Sequence, residues 1–294
     1  MDPMNLNQLR IFHCAAKLSN FTRAAEELHL TQPGISKHLK ALEEYYGAQL
    51  FDRLGRKVVL TQAGEALFEA TNAAFNLLDQ AKTRIDDLSG LMAGKLAIGT
   101  SVTIGTYILP EKLVRFRQRY PGIKIKVETA LSGQVTELVL DNTLELGLVG
   151  HCAPDTRLVV EPFMKDPLLL VVSPRHPWAA RKTPVPLQEL ASQTLLVSNC
   201  GAGTCRIVDA LLTKSGITPE GVVELGTTEG VKEAIAADLG VSLLSGHVLK
   251  KELASGVLAA LALEGGEPGR DLYLIYRKDH SLSRAARAFL DLLD

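Results

Sequence analysis

Phe21-Thr22-Arg23-Ala24-Ala25-Glu26-Glu27-Leu28-His29-Leu30-Thr31-Gln32-Pro33-Gly34-Ile35-Ser36 sets the N-terminal fold. Ala24, Ala25 and Leu28 fall on one helical face, and Ile35, Leu39 and Leu42 repeat that spacing further on. Between them lies His29-Leu30-Thr31, a turn so short that the two helices must cross steeply, which is the core of a helix-turn-helix. Thr31 is a good N-cap, and Pro33 falls in the first turn, where its missing N–H breaks no helix bond, so the third helix is expected to start at Thr31. Its solvent face would carry Gln32, Ser36, Lys37 and Lys40. Leu6, Leu9, Phe12 and Ala16 supply a first helix upstream.

Downstream, Gln49 to Arg53 and Lys57 to Leu60 read as two short extended pieces joined by Leu54-Gly55-Arg56, a hairpin that would form a wing. Arg53, Arg56 and Lys57 put cations there, suited to phosphates or a minor groove, although Arg53 could equally tie the wing to its domain. From Thr61 to about Ser89 no proline intervenes, and Leu67, Thr71, Ala74, Leu78, Ala81, Ile85 and Leu88 follow steps of four and three. That period suits a helix pairing with another helix, so a dimerising linker is expected, with packing on its own domain as the alternative.

Beyond Gly90 to Gly94 the pattern changes to apolar strand candidates separated by helical runs: Leu96–Gly99, Ile123–Val127, Leu144–Val149, Leu168–Val172, Leu195–Val197 and Val241–Leu244. Such alternation predicts parallel β-α-β units, which bind ligands beyond the carboxyl ends of their strands. The fold class expected is α+β multidomain. Residues 1–60 form a winged helix-turn-helix, 61–90 a long linker helix, and 91–294 a C-terminal α/β domain with a ligand crevice.

The 294 residues carry a net charge of −1, with 46% hydrophobic and 22% charged residues, as in an ordinary globular protein. Residues 1–60 hold eight cations against six anions, leaving −3 for the rest of the chain; the clustering of those cations says more than their sum. The opening from Met1 to Ala16 is amphipathic without an apolar signal-peptide core, and no later run reaches the length of a membrane span, so a cytoplasmic protein with no membrane partner is expected. Cys14, Cys152, Cys200 and Cys205 contain no Cys-x-x-Cys pair, which argues against a disulfide framework.

Two loops in the C-terminal part suit an anion. Gly99 to Gly105 follows a strand and opens a helix that should end before Pro121, so free amides could be joined there by the hydroxyls of Ser101 and Thr103. A plain capped helix is the alternative. Ser198 to Arg206 follows another strand and leads into a helix ending near Gly216; its Gly201-x-Gly203 lacks the third glycine of a dinucleotide signature, and no phosphate-cradle motif is present, so no cofactor is expected. Two facing helix starts would prefer a small anion. Thr129, Gly150, His151, Thr227 and Thr228 stand at or just past strand ends, as ordinary loop residues also do. His151 and Cys152 are adjacent with no third ligand near, so no metal site is expected, and nothing visible activates Cys205.

The blocks Phe21 to Leu28, Thr31 to Ser36, Leu50-Phe51-Asp52-Arg53 and Leu60-Thr61-Gln62-Ala63-Gly64 together resemble the LysR-type transcriptional regulators, closely over the first sixty-odd residues and by architecture thereafter. The resemblance implies a sequence-specific transcriptional regulator that contacts double-stranded promoter DNA through Thr22, Thr31, Gln32, Pro33, Ser36, Lys37, Lys40, Arg53, Arg56 and Lys57. It also implies an effector domain of two subdomains similar to periplasmic binding proteins, 91–161 plus 269–294 and 162–268. The crossovers would lie near Glu161-Pro162-Phe163 and Glu267-Pro268-Gly269, so that the last strand, Asp271 to Tyr276, returns to the first subdomain. A small anionic effector would contact Thr100, Ser101, Thr103, Thr129, Gly150, Gly203, Thr204 and Thr228. Homo-oligomers are implied, dimers through the linker helix and tetramers beyond. The loop from Thr100 to Pro110 is similar to that of the family branch responding to inorganic sulfur compounds, which points to a sulfur oxyanion, with a carboxylate as the alternative.

An enzyme is the rival class. Gly240-Val241-Ser242-Leu243-Leu244 fails the Gly-x-Ser-x-Gly elbow at its last position and no nucleophile and base pair can be named, so no catalytic residue is expected. An exported binding protein is the other rival, and the absent signal-peptide pattern and the attached helix-turn-helix argue against it.

Overall fold

The computed structural model describes residues 5–54, 57–87, 94–198, 203–266 and 268–293. The chain divides into two compact units, residues 1–82 with 141–143, and the remainder.

In the first unit, α1 (Leu6–Leu18), α2 (Phe21–Glu27) and α3 (Gln32–Tyr46) precede the antiparallel pair β1 (Phe51–Leu54) and β2 (Lys57–Leu60). Side-chain caps fix each helix start. Asn5 and Gln8 form a reciprocal capping box on α1, Asn20 accepts from the amides of Thr22 and Arg23, and Thr31 accepts from Gly34. His29 takes a left-handed φ of 54° between α2 and α3, which reverses the chain within the turn. Ile11, Phe12, Ala24, Ile35, Leu42 and Leu50 fill the core, and the Phe51 ring packs 5.4 Å from Phe12 and 5.1 Å from Phe21.

The long helix α4 (Gln62–Asp87) follows. His13 stacks on Phe68 and shares a hydrogen bond with Asn72 at 3.2 Å, which ties α1 to α4. The expected pairing seam divides along its length. Thr71 is buried and its hydroxyl bonds back to the Leu67 and Phe68 carbonyls, whereas Leu78 and Ile85 are 51% and 66% exposed. Thr71 is therefore not a pairing position, because the N-terminal turns of α4 are used to cover their own domain. Leu88 lies outside the described residues.

The second unit opens with β3 (Gly94–Ser101), a π-helical turn over Ile104–Ile108, α5 (Leu109–Arg119), β4 (Ile123–Ala130), α6 (Ser132–Leu140) and β5 (Leu146–Val149). There β3 pairs parallel with both β4 and β5. Next come β6 (Leu158–Val172), β7 (Thr194–Val197), α7 (Gly203–Lys214), β8 (Gly221–Glu224), α8 (Thr228–Ala236), β9 (Ser242–Ser245), α9 (Lys250–Ser255), β10 (Ala259–Leu261), β11 (Gly269–Arg277) and α10 (Arg284–Leu290). Two separate cores define two subdomains, one built on Leu96, Ile98, Phe116, Ile123, Leu146 and Phe289, the other on Leu168, Leu170, Val172, Leu195, Val208 and Leu243.

The sheet order is β10-β6-β11-β5-β3-β4, with β9 also on β6. Every pairing of β6 is antiparallel, which corrects the expectation that Leu168–Val172 belongs to a parallel unit. An unbroken apolar run shows that both faces are buried and says nothing about partner direction. The two crossovers are also less loop-like than expected. Glu161-Pro162-Phe163 lies inside β6, and Gly269 opens β11, whose residues pair with β6 and then with β5; Glu267 lies outside the described residues. The strands β8 and β10 were not anticipated, since each is only a few residues long.

Candidate functional site

On the first unit, α3 presents Gln32, Pro33, Lys37 and Lys40 to solvent, with Ser36 half-buried beside them. The Gln32 amide donates to the Ser36 hydroxyl at 3.4 Å, and Lys40 stands 3.9 Å from Glu44 in an exposed pair too solvated to hold it in place. Thr31 spends its hydroxyl on the cap, and Thr22 is exposed in the first turn of α2. Arg53 and Lys57 belong to the wing strands, with Arg53 opposite Val58 and Lys57 opposite Leu54. Their side chains, and all of Arg56, lie outside the described residues.

On the second unit, β3, β4 and β5 end beside one another. Thr100 is buried, and its hydroxyl lies 3.4 Å from that of the exposed Thr129 near the end of β4. A Cβ on Gly105 would meet the Thr100 hydroxyl at 2.3 Å, so only glycine lets the following turn start against this pair. Ser101 closes β3 half-buried. Thr103, the expected cap, has helical backbone (φ −56°, ψ −47°) and makes no capping bond, so the plain capped helix is not what forms. Thr227 does cap α8, through Gly230 at 3.0 Å, and Thr228 follows half-buried.

Gly150 at the end of β5 and Gly203 at the start of α7 come together around Arg270, a residue that sequence reasoning missed. A Cβ on Gly150 or Gly203 would lie 3.0 Å or 2.6 Å from Arg270 Nη1. Arg270 Nε donates to Asp166 Oδ2 at 2.9 Å, and the Ser245 hydroxyl donates to the other oxygen of this fully buried carboxylate. A cavity of about 460 Å³ opens here, lined by Gly150, His151, Gly203, Arg206, Arg270 and Tyr273 among others. Thr204, expected beside Gly203, lines a separate narrow space of about 10 Å³ with Ser198 and Ser242. Residues 199–202, Cys200 included, lie outside the described residues.

A second cluster that sequence reasoning missed bridges the subdomains. Tyr107, in the π-helical turn, donates its hydroxyl to Glu229 on α8. Lys232, nearly buried, stands 3.0 Å from Glu229 and 2.6 Å from Glu252, and its ammonium lies 5.2 Å from the centre of the Tyr107 ring. Burial and the Glu229 hydrogen bond push the Tyr107 hydroxyl up to about 12. Burial alone would lower Lys232, but its bonds to Glu252 and Glu229 prevail and raise it. No sequence signal marked the Arg270 pair: Asp166 shares β6 with Glu161 and Lys165, and only the fold shows that it alone of the three is fully buried and needs a cation.

Among the described residues no group of three or more His, Cys, Asp or Glu is placed to hold a metal, and no helix is long and apolar enough to cross a membrane. Cys205 is buried and its thiol donates to Asp209 at 3.6 Å; burial pushes the Cys152 thiol up.

Two family models match the chain: "Bacterial regulatory helix-turn-helix protein, lysR family" over residues 6–65 and "LysR substrate binding domain" over residues 89–294. The HTH-type transcriptional activator CmpR of Synechocystis is 34% identical over 293 residues, covering 100% of this chain and 96% of that protein. The regulatory domain of Synechocystis CcmR, solved in complex with 2-PG, is 29% identical with a TM-score of 0.62, covering 68% of this chain and 95% of that one. A full-length OxyR variant from Pseudomonas aeruginosa superposes with a TM-score of 0.76 at 24% identity, covering 100% of this chain and 95% of that one, a likeness of fold.

Proposed function

The chain belongs to the LysR family of DNA-binding transcriptional regulators, and on that basis we propose how its two units divide the work. The first half of α3 enters the major groove, with Gln32 and Ser36 at base edges and Lys37 and Lys40 on phosphates. Thr22 and Thr31 meet the backbone beside it, Pro33 shapes the entry, and Arg53, Arg56 and Lys57 on the wing hold the neighbouring phosphates or minor groove.

The second unit takes a small anion in the cleft between its subdomains, with Thr100, Ser101, Thr103, Thr129 and Gly150 on one side and Gly203, Thr204 and Thr228 toward the other; of these, Gly150 and Gly203 line the cavity itself. The observation that carries this reading is the cavity bordered by Arg206 and Arg270 at the start of α7. The CcmR regulatory domain, similar over 68% of this chain, was solved with 2-PG, an anionic small molecule, which supports an anion here too. Sulfur oxyanions and carboxylates belong to the same class. The bound anion acts by favouring one arrangement of the subdomains over another, which requires different affinity for the two. The exposed half of α4, with Leu78 and Ile85, is the surface through which two copies pair, and tetramers build on that pairing; the regulator works in the cytoplasm, where its promoters are.

The test is thermal unfolding of the full chain with sulfate, sulfite, thiosulfate, inorganic phosphate, acetate, malate and 2-PG. A ligand at a hundred times its Kd stabilises by about 2.7 kcal/mol, readily seen as a rise in Tm. A rise with at least one of these anions, together with a change in promoter affinity, supports the reading. A melt that none of them moves overturns the anion assignment and leaves DNA binding untouched.

A further inference from the structure

We propose that Arg270 is the anchor for the charged head of an organic anion, gripping it through its two Nη groups at the first turn of α7. The proposal rests on the anionic-effector reading above and adds to it the residue and the ligand class.

Arg270 has donors to spare. Its side chain is nine-tenths buried, and a guanidinium carries five N–H donors. Asp166 uses the one on Nε. Among the described residues neither Nη atom has a hydrogen-bond partner, and Arg270 lines the cavity, so these N–H groups are free to donate to a group that enters it.

The pair with Asp166 also fixes the direction of the remaining edge. Asp166 is itself locked by the Ser245 hydroxyl, so Nε is held on one side and Nη1 lies against Gly150 and Gly203. Both positions lack a side chain where one would collide with Nη1 or crowd it. Gly203 begins α7, a helix of 12 residues, whose first-turn amides and dipole favour negative charge at this end. Arg206, one turn on, lines the same cavity. If neutralising Asp166 were the whole task, a lysine would suffice; a fork left open beside a helix start fits two oxygens of one carboxylate or phosphoryl group.

The size of the space narrows the class further. About 460 Å³ falls within the range of small-molecule sites, roughly 300–1,000 Å³, and is far more than a bare tetrahedral ion fills. The ligand is therefore an organic acid or phosphate ester, its head on Arg270 and its body in the cavity.

The experiment is calorimetric titration of the full chain with malate, 2-PG, inorganic phosphate and sulfate, repeated on Arg270→Lys and Gly203→Ala. Arg270→Lys keeps a cation for Asp166 but removes the fork; Gly203→Ala keeps Arg270 but pushes its Nη1 away from the helix start. Malate or 2-PG should bind the unaltered chain at least about tenfold more tightly than either inorganic ion, and both substitutions should weaken that binding about 10- to 100-fold. The ligand-free Tm of each variant is recorded alongside, so that a folding defect reads separately; should Arg270→Lys fail to fold, Gly203→Ala decides. Unchanged affinity in the variants overturns the role of Arg270 while the anionic effector stands. Preference for phosphate or sulfate overturns the ligand class, and no binding by any of the four overturns the proposal as a whole.

Discussion

Gly64, in the first turn of α4, lies directly beneath the carbonyl of Leu50: a Cβ there would sit 2.0 Å from the Leu50 oxygen. The same carbonyl accepts from the Thr61 amide at 3.1 Å, and the Thr61 hydroxyl donates to Gln49 O at 2.7 Å while accepting from the Gly64 amide at 3.0 Å. Leu60-Thr61-Gln62-Ala63-Gly64 is thus a lock that fastens α4 to the chain entering the wing. Backbone cannot yield as a flexible side chain does, so Gly64→Ala should destabilise the first unit by at least about 1–3 kcal/mol, in the range of overpacked sites. Urea unfolding of the full chain checks this, and an unmoved first transition would refute it.

Replacing Lys37 and Lys40 by alanine should weaken promoter binding without moving the Tm, because both side chains are exposed. Each phosphate that is no longer neutralised lowers the slope of log K against log salt by about 0.9, so the double variant should show a flatter salt dependence. Fluorescence anisotropy on promoter DNA at several salt concentrations measures it; an unchanged slope removes α3 from the interface.

Asn20 accepts from two amides of α2, Thr22 at 2.9 Å and Arg23 at 3.1 Å. Asn20→Ala should therefore cost about 1 kcal/mol, and Asn20→Asp, which retains an acceptor, should cost less. Equal melting of the two variants would mean that the cap contributes nothing.

Lys232 is held by Glu229 and Glu252, and Glu252 Oε2 is already buried without a hydrogen-bond partner among the described residues. Lys232→Met strips the remaining compensation from Glu252 and should destabilise the second unit by about 3–5 kcal/mol, as when one member of a buried pair is removed. Changing Glu252 to Gln in the same chain should recover part of that loss. A double variant no more stable than the single one refutes the pairing.

For Tyr107 the readout is alkaline. Its hydroxyl is raised from an ordinary value of 10 to about 12, so the fold favours the protonated form. The associated stability is fully present below pH 10 and is lost as pH rises through about 12. Denaturant midpoints of the unaltered chain should fall over that interval more steeply than those of Tyr107→Phe, and parallel curves would show that Tyr107 titrates as it does in the unfolded chain.

The N-terminal unit was legible in the sequence because its signals are local. The Thr31 cap, Pro33 in the first turn, the three-residue turn at His29 and the apolar spacing all act within a few residues, and the helices fall where those rules put them. The alternation of strands and helices beyond Gly94 was likewise readable, since side-chain period is a property of the chain itself. Strand direction was not. Leu168–Val172 is apolar throughout in either arrangement, and only the return of β11 alongside β6 makes the pairing antiparallel. The cleft divided in the same way: Thr100 and Gly150 stand at strand ends that periodicity locates, whereas Arg270 and Asp166, 104 residues apart, meet only because β6 and β11 run side by side. Residue order dictated the local elements and their caps. Packing in three dimensions chose which charges were buried together and which donors were left facing a cavity, because desolvation and hydrogen bonding depend on neighbours that lie far apart along the chain.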